Sequence, residues 1–215
     1  MKKLLLITSA FILAAYTAKT EDKTTADHLQ DVSVTIRAEG DFSVGEGSGV
    51  IFSRKDSKGN LVNFVWTAAH VIDNLRKTRK TVVNGVQKTI VEFKDPAVVK
   101  EIRQNGRTVG RLQMDAEVLK YSDADDGHDL ALLKVRKFNF VTDTVTFHLE
   151  KEKIPKLGTD LLHVGSLLGQ MGANSMTDGI YSQHGRLIKS LNKFVFDQTT
   201  CTAFPGSSGG GVYLK

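Results

Sequence analysis

Residues 206–211 read Gly-Ser-Ser-Gly-Gly-Gly, and this glycine-bracketed pair of serines is the strongest guide to the fold of the chain. Glycine adopts backbone angles that other residues avoid and adds no side chain, so the stretch predicts a tight loop. Such a loop can turn two backbone N–H groups toward one point, where they stabilise a negative charge that develops on oxygen. We expect the N–H groups of Gly206 and Ser208 to form this oxyanion hole.

Two segments earlier in the chain supply a base and a carboxylate for such a serine. His70 follows a β-like run and two small alanines, which let the backbone pack closely behind an imidazole. Asp129 stands at the head of an apolar run, where burial can fix the direction of its carboxylate. Amide hydrolysis needs a nucleophile, a base that takes its proton and a group that holds the base in the right tautomer. His70, Asp129 and Ser208 are therefore the candidate catalytic triad.

The remainder of the sequence favours β-strands joined by tight turns over long helices. It has 19 glycines and only 3 prolines, and 40% of its residues are hydrophobic and 25% charged, which is typical of a globular protein and excludes a disordered or fibrous one. Short runs rich in β-branched and aromatic residues recur along the chain, for example at 32–36, 49–52, 89–93 and 194–196. We therefore predict an all-β protein.

The first 31 residues are predicted to lie outside the folded domain. Residues 1–18 begin with Met-Lys-Lys and continue with an apolar run, which is the pattern of a secretory signal peptide. That run is shorter than the roughly 20 residues that a bilayer-spanning helix needs, so we expect export to the periplasm or exterior without a stable membrane anchor. Residues 19–31 are polar and predict a flexible leader, and 32–215 predict the folded domain.

The three motifs together resemble those of the trypsin-like serine peptidases. Residues 67–70, 129–132 and 206–210 match the histidine, aspartate and serine motifs of that family in the same order and at similar spacing. The resemblance implies two antiparallel six-stranded β-barrels, the first over about 32–140 and the second over about 155–215. Cys201 is the only cysteine, so an intrachain disulfide is excluded and the disulfide-poor bacterial or phage-type branch is favoured.

The end of the sequence departs from the family pattern. The chain stops soon after the serine motif, whereas the family has further strands there that form a wall of the substrate pocket. We therefore expect a sequence truncated after that motif and an incomplete second barrel. The resemblance implies a serine endopeptidase that forms an acyl-enzyme and acts on a protein or peptide substrate. The alternative is a catalytically inactive homologue or fragment that acts as a binding module.

The resemblance also assigns residues around the nucleophile. Ser207 is the rival nucleophile, but the family places the reactive serine directly before the paired glycines, which favours Ser208. Thr202 lies six residues before Ser208, where relatives place the floor of the substrate pocket, and an uncharged floor argues against a strong preference for Arg or Lys. His184 lines that pocket in one interpretation and is an exposed strand residue in the favoured one.

Several other sequence patterns are predicted to have no catalytic or ligand-binding role. The acidic loop 123–127 fails the EF-hand spacing, and no metal or other cofactor is expected. The basic run 76–80 is typical of a solvated face. The net charge is +5 but both signs are well mixed along the chain, so we expect no nucleic-acid partner. Cys201 is predicted to be a small buried residue, and the oligomeric state is left open.

Overall fold

A computed structural model describes residues 23–125, 127–148, 153–188 and 194–215 of the chain. The predicted signal peptide lies outside the described residues. The elements, in chain order, are α1 (Thr25–Asp31), β1 (Ser33–Glu39), β2 (Val44–Lys55), β3 (Leu61–Thr67), β4 (Arg76–Val83), β5 (Val86–Phe93), β6 (Ala97–Gln104), β7 (Arg107–Ser122), β8 (Leu130–Val135), β9 (Asp160–Leu167), β10 (Gly172–Leu187), β11 (Val195–Thr199) and β12 (Gly211–Leu214). Within this part of the chain, no helix is both long and apolar enough to span a lipid bilayer.

Six strands close into the first barrel, in the order β1-β2-β3-β8-β7-β6. Alternate residues of each strand face inward, as the period of two in a β-strand requires. In β8, for example, Ala131, Leu133 and Val135 are buried and the residues between them are less so. Ile36 and Ile51 from β1 and β2 are fully buried in the same core. The first barrel therefore forms a closed and rigid support for the loops at its rim.

The strands β4 and β5 form a separate hairpin outside the barrel. Asn84 and Gly85 connect them with positive φ angles of 51° and 75°, which suit a tight hairpin turn. The basic run 76–80 lies on β4, where its side chains are exposed or nearly so. Phe93 at the other end packs against the Tyr121 ring with a centroid distance of 4.8 Å, which anchors the hairpin to the barrel.

Four strands form the second sheet, in the order β11-β10-β9-β12. In the first barrel, β1 pairs with β2 and β6, and β3 also pairs with β2. The second sheet repeats this pattern, since β9 pairs with β10 and β12, and β11 also pairs with β10. Among the described residues, the second sheet has no strands that correspond to β7 and β8. The prediction of an all-β fold is confirmed, and the described strands form one closed barrel, one open four-stranded sheet and one hairpin.

The helix α1 occupies the second half of the segment predicted to be a flexible leader. Thr24 and Asp27 form a capping box, in which each side chain bonds the backbone N–H of the other at 3.1–3.2 Å. Leu29 is buried, and Gln30 Nε2 donates to the Asn174 carbonyl in β10 at 2.8 Å. Residues 25–31 are therefore a docked helix instead of a leader, because a capped turn and one apolar side chain fix them against both sheets.

Candidate active site

The first site residue, His70, lies where β3 ends at the rim of the first barrel. A single 3₁₀ turn over Ala69–Val71 follows β3 and reverses the chain direction. Ala69 is fully buried, so the turn sits close against the barrel core, as the small side chain predicted. The His70 side chain remains about half exposed, at 48%. The turn therefore presents an imidazole that a substrate can reach.

The Asp129 carboxylate holds His70 by both its backbone and its ring. One oxygen accepts from the His70 backbone N–H at 2.9 Å, and the other lies 2.8 Å from His70 Nδ1. The Asp129 carbonyl also accepts from Ala69 N–H at 3.2 Å. Because an ionised carboxylate can only accept, Nδ1 carries the hydrogen and Nε2 of the neutral ring keeps a free lone pair. This is the tautomer that a general base needs.

The serine loop is built from two consecutive turns. Ser207 N–H donates to the Phe204 carbonyl and Gly210 N–H donates to the Ser207 carbonyl, both at 2.9 Å. Gly206 and Gly209 have φ angles of 94° and 83°, in the left-handed region that glycine favours. The predicted tight loop is thus present, with the glycines at the positions where the backbone needs them.

Gly209 lets the serine loop approach the segment that carries His70. A Cβ atom at this position would lie 2.3 Å from the Ser48 carbonyl oxygen, 2.5 Å from Thr67 Oγ1 and 2.8 Å from Ala68 N. Thr67 and Ala68 immediately precede the 3₁₀ turn of His70, so the residue that follows Ser208 packs against the segment that leads into that turn.

The two serines of the loop have different hydroxyl environments. Ser207 Oγ accepts from Phe204 N–H at 2.9 Å and is thereby part of the turn. The Ser208 hydroxyl makes no hydrogen bond to any described residue, and His70 is not bonded to it in this structure. Catalytic hydrogen bonds often form only when a substrate is bound. The free hydroxyl of Ser208 favours this serine over Ser207 as the nucleophile.

The two N–H groups predicted for the oxyanion hole are free and their directions are fixed. Neither Gly206 N–H nor Ser208 N–H has an acceptor in the described part of the chain. The carbonyl on the other side of each peptide bond is held: Leu168 N–H donates to Pro205 O at 2.7 Å, and Gly210 N–H donates to Ser207 O. Because N–H and C=O point in opposite directions across a trans peptide, fixing each carbonyl also aims the N–H.

Ser48 clamps the serine loop from the first barrel, and we did not predict this role from the sequence. Its hydroxyl donates to the Gly206 carbonyl at 2.6 Å and accepts from Ser166 N–H at 2.7 Å. Its backbone N–H donates to the Ser208 carbonyl at 2.7 Å. Ser48 is 1% exposed. The only signal in the sequence was the Gly-Ser-Gly pattern at 47–49, which identifies a tight strand but no partner.

A cavity of about 330 Å³ lies beside Ser208. The described residues that line it are His163, Thr199, Cys201, Ala203, Phe204, Ser207, Ser208, Gly210 and Val212. Thr202, the predicted pocket floor, is not among them. Its neighbours Cys201 and Ala203 face the cavity, whereas Thr202 is exposed and its carbonyl accepts from Thr177 Oγ1 at 2.9 Å. Alternation along an extended chain turns every second side chain away, which is why Thr202 faces outward.

His184 also lies apart from this cavity. Its Nδ1 atom is 2.9 Å from Asp197 Oδ1 and 3.0 Å from the Tyr181 hydroxyl, and its side chain is 53% exposed. The structure thus supports the interpretation of His184 as an exposed strand residue.

A second cavity, of about 280 Å³, is lined in part by His70. Asp73, Arg76 and Tyr121 are among its lining residues. The Tyr121 hydroxyl donates to Asp73 Oδ1 at 2.6 Å, and burial together with this bond raises the pKa of Tyr121 well above its ordinary range. Tyr121 is therefore a fixed neutral donor. The described residues contain no cluster of three or more His, Cys, Asp or Glu side chains that could hold a metal ion.

Comparisons with known proteins give matches by sequence and by fold. The family model of the trypsin-like peptidase domain matches residues 47–215. The Serine protease Do-like HtrA of Lactobacillus helveticus is 31% identical over 173 residues, which cover 78% of this chain and 32% of that protein. The chain thus spans about a third of the length of this curated relative.

Solved structures share the fold at lower identity. The crystal structure of Deg5 is 22% identical, with a TM-score of 0.57 over 86% of this chain and 75% of that chain. The HtrA-type protease AlgW with a tripeptide is 19% identical, with a TM-score of 0.60 over 88% of this chain and 49% of that chain. At these identities the likeness concerns the fold alone.

Proposed function

The chain belongs to the trypsin-like peptidase family of serine proteases, and from this premise we propose that it is a serine endopeptidase with His70, Asp129 and Ser208 as its triad. The observation that carries the proposal is the pair of hydrogen bonds that the Asp129 carboxylate accepts from the backbone N–H and the ring of His70. A surface histidine does not need such a double restraint. A histidine that must present one nitrogen as a base does.

The first half of the reaction forms a covalent bond to Ser208. The Ser208 oxygen attacks the peptide carbonyl while His70 Nε2 takes the hydroxyl proton, and Asp129 stabilises the imidazolium that results. The carbonyl oxygen becomes an oxyanion between the N–H groups of Gly206 and Ser208. Each such donor contributes about 2.7–4 kcal/mol to transition-state stabilisation in comparable enzymes. His70 then gives the proton to the leaving amine, and the acyl group remains on Ser208.

The second half releases the acid product. Water replaces the amine, His70 Nε2 takes a proton from it, and the resulting oxygen nucleophile attacks the acyl carbonyl. The same two N–H groups hold the second oxyanion. Collapse of this intermediate breaks the bond to Ser208, which regains its proton from His70. No cofactor takes part in either half.

The proposed setting of this chemistry is outside the cytoplasm. The charged start and short apolar run of residues 1–18 support a signal peptide and hence a secreted or periplasmic enzyme. Its proposed substrates are proteins or peptides. The matched residues cover only 32% of the whole relative, so the activity and partners of that protein remain separate proposals for this chain.

One observation favours the alternative of a catalytically inactive binding module. Among the described residues, β12 pairs only with β9 and β11 pairs only with β10, so the second sheet is open on both sides. An open sheet offers less support to a bound substrate backbone than a closed barrel does. The triad itself shows no substitution that would favour inactivity.

Labelling with a fluorophosphonate separates these two functions. This reagent phosphonylates a serine, with loss of fluoride, only when a base activates the hydroxyl and an oxyanion hole receives the P=O oxygen. We expect labelling of the folded chain at Ser208, loss of labelling in Ser208→Ala, and full labelling in the matched control Ser207→Ala. Absence of label on folded wild-type protein would support the binding module instead.

A further inference from the structure

We propose that Glu46 is a positioning residue for the oxyanion hole and acts through the turn that joins β9 to β10. The inference rests on the proposed function, in which the Gly206 N–H receives the oxyanion. Glu46 holds this turn from the first barrel, and the turn holds the peptide bond that carries the Gly206 N–H. No role for Glu46 was predicted from the sequence.

The turn of residues 168–171 lies directly against Gly206. Leu168 N–H donates to the Pro205 carbonyl at 2.7 Å. A Cβ atom at Gly206 would lie 2.7 Å from Gly169 N and 3.3 Å from Leu168 N. Because the Pro205 carbonyl and the Gly206 N–H belong to one planar peptide bond, the position of Leu168 sets the direction of that N–H.

The turn has a backbone conformation that needs support. Leu168 has φ and ψ angles of 63° and 34°, in the left-handed region, and Gly169 follows with a φ of 67°. A residue with a Cβ atom rarely adopts this region, and it stays there only where the surrounding structure holds it. Leu168 is also 58% exposed, so its side chain adds little packing. The conformation of the turn therefore depends on contacts from elsewhere in the chain.

Glu46 supplies such a contact from β2. One carboxylate oxygen accepts from the Gln170 backbone N–H at 3.0 Å, and the other accepts from Gln170 Nε2 at 2.9 Å. A Cβ atom at Gly169 would overlap the same carboxylate, so the glycine gives Glu46 access to the turn. Hydrogen bonds to a carboxylate are stronger than those between neutral groups. Glu46 thus fixes both the backbone and the side chain of Gln170.

Arg111 on β7 completes the contact between the first barrel and Gln170. Its Nη2 atom donates to the Gln170 carbonyl at 2.7 Å, and its Nη1 atom donates to Gln170 Oε1 at 3.0 Å. Arg111 is exposed, whereas Glu46 is partly buried. Because water competes less for hydrogen bonds in a partly buried site, we assign the larger share of the restraint to Glu46.

One strand of the first barrel therefore holds the peptide bonds on both sides of Gly206. Glu46 and Ser48 lie two positions apart on β2, so their side chains project from the same face of the strand. Ser48 Oγ bonds the Gly206 carbonyl directly. Glu46 acts on the preceding peptide bond through Gln170 and the turn.

Substitution of Glu46 tests the inference through kcat. An oxyanion donor acts mainly in the transition state, so its displacement lowers kcat and leaves KM nearly unchanged. Glu46→Ala should lower kcat about 10- to 100-fold and slow fluorophosphonate labelling of Ser208 by a similar factor. Glu46→Gln keeps an oxygen that can accept from the Gln170 N–H, so it should retain more of the wild-type kcat than Glu46→Ala.

Asp56→Ala is the matched control. The Asp56 carboxylate also accepts from the backbone N–H and the side-chain amide of one residue, Asn60, at 2.8 and 3.1 Å. It holds the turn that follows the other end of β2. Asp56→Ala loses the same kind of contact and should keep the wild-type kcat. A purely structural role of Glu46 would make the two variants alike.

Amide hydrogen exchange follows the restraint without relying on activity. The Leu168 amide should exchange about 10-fold faster in Glu46→Ala than in wild-type protein, while the amides of β8 keep their rates. Asp56→Ala should leave Leu168 unchanged. Gln170→Ala removes the side-chain bond to Glu46, and it should lower kcat and speed Leu168 exchange even if Glu46→Ala fails to fold.

Wild-type kcat together with wild-type Leu168 exchange, in folded Glu46→Ala or in folded Gln170→Ala, would overturn the inference. An equal loss of kcat in Glu46→Ala and Asp56→Ala would also overturn it. If wild-type protein is labelled by the fluorophosphonate, either result contradicts the role of Glu46 alone. Unlabelled folded wild-type protein contradicts the proposed function and, with it, this inference.

Discussion

Asp129 is bonded to His70 twice, through the backbone N–H at 2.9 Å and through ring Nδ1 at 2.8 Å. The backbone bond fixes where the aspartate sits, and the ring bond fixes which nitrogen carries the hydrogen. The two bonds can therefore be separated by substitution.

The Asp129→Asn variant should keep the position of residue 129 and lose the His70 tautomer that carries its hydrogen on Nδ1. The amide oxygen can still accept from the backbone, but the amide N–H₂ would donate to Nδ1 and move the ring hydrogen to Nε2. We expect kcat to fall about 10⁴-fold, with a thermal midpoint close to that of the wild type. Steady-state kinetics and thermal unfolding measure the two effects. Retention of more than a tenth of wild-type kcat would show that Asp129 does not set the tautomer.

Comparing Gly209→Ala with Gly59→Ala should separate the effect of crowding at the serine loop from the effect of backbone strain. Gly209 and Gly59 both have a φ of 83°, but a Cβ at Gly59 meets nothing within 4 Å, whereas one at Gly209 meets the Ser48 carbonyl oxygen at 2.3 Å. Gly59→Ala should cost about 1–2 kcal/mol of unfolding free energy and leave kcat unchanged. Gly209→Ala should cost more and lower kcat by about 100-fold or more, because it displaces Ser208.

Denaturant unfolding and peptide hydrolysis compare these two glycine variants. Equal activity in both would mean that the close approach of the serine loop to Thr67 and Ala68 does not position Ser208.

Ser48→Ala should affect catalysis beyond its effect on stability. The change removes the hydroxyl that bonds Gly206 O and Ser166 N–H. Ser53 is the matched control, since it lies on the same strand, is also buried and accepts from Asn63 Nδ2 at 2.7 Å. Both variants should lose about 1–3 kcal/mol of unfolding free energy. Only Ser48→Ala should lower kcat, by about 10- to 100-fold, with KM little changed.

A fall in kcat of the same size in Ser53→Ala would show that lost stability explains the lower kcat of both variants. Rescue of kcat in Ser48→Thr, which restores the hydroxyl, would confirm that this group acts through the loop it holds.

The docking of α1 should weaken in acid. Burial raises the pKa of the Asp143 carboxyl, but the hydrogen bond and charge of Lys23, at 2.8 Å, outweigh it and leave that pKa below its ordinary value. A carboxyl with a lowered folded-state pKa stabilises the fold above its unfolded value of about 4 and ceases to do so as pH falls through the folded-state value.

Amide hydrogen exchange therefore should show α1 losing protection between pH 7 and pH 3, after correction for intrinsic exchange rates, while β3 keeps its protection. In Asp143→Asn, α1 should be less protected at pH 7 and should lose less protection than wild-type protein between pH 7 and pH 3; the loss that remains comes from Asp27, because its hydrogen bonds with Thr24 also hold the pKa of that carboxyl below its ordinary value. Unchanged protection of α1 in wild-type protein over this range would contradict the role of the Lys23–Asp143 pair.

The parts of the site that the sequence predicts are those encoded by local patterns. The glycines around Ser208, the alanines before His70 and the apolar run after Asp129 each reflect a constraint within a few residues, and the all-β fold follows from similar short runs. The triad assignment itself stays a prediction.

The parts that could not be predicted depend on distant contacts. Ser48 bonds Ser166, which is 118 positions away, and His163 bonds Gly211, which is 48 positions away. Thr202 lies at a suitable spacing from Ser208, but spacing does not determine which side of an extended chain faces the cavity. The capping box of α1 joins Thr24 and Asp27, and the polar composition of residues 19–31, which predicted a leader, gave no indication of it.

The most direct test of whether Ser208 is a nucleophile activated by His70 is to trap the acyl-enzyme. The folded chain is mixed with an activated peptide ester, quenched in acid within one turnover and analysed by intact mass and peptide mapping. We predict one acyl group on Ser208, present also in Ser207→Ala, absent in Ser208→Ala and strongly reduced in His70→Ala. An acyl group on Ser207, or product release without any acyl group on Ser208, would contradict it.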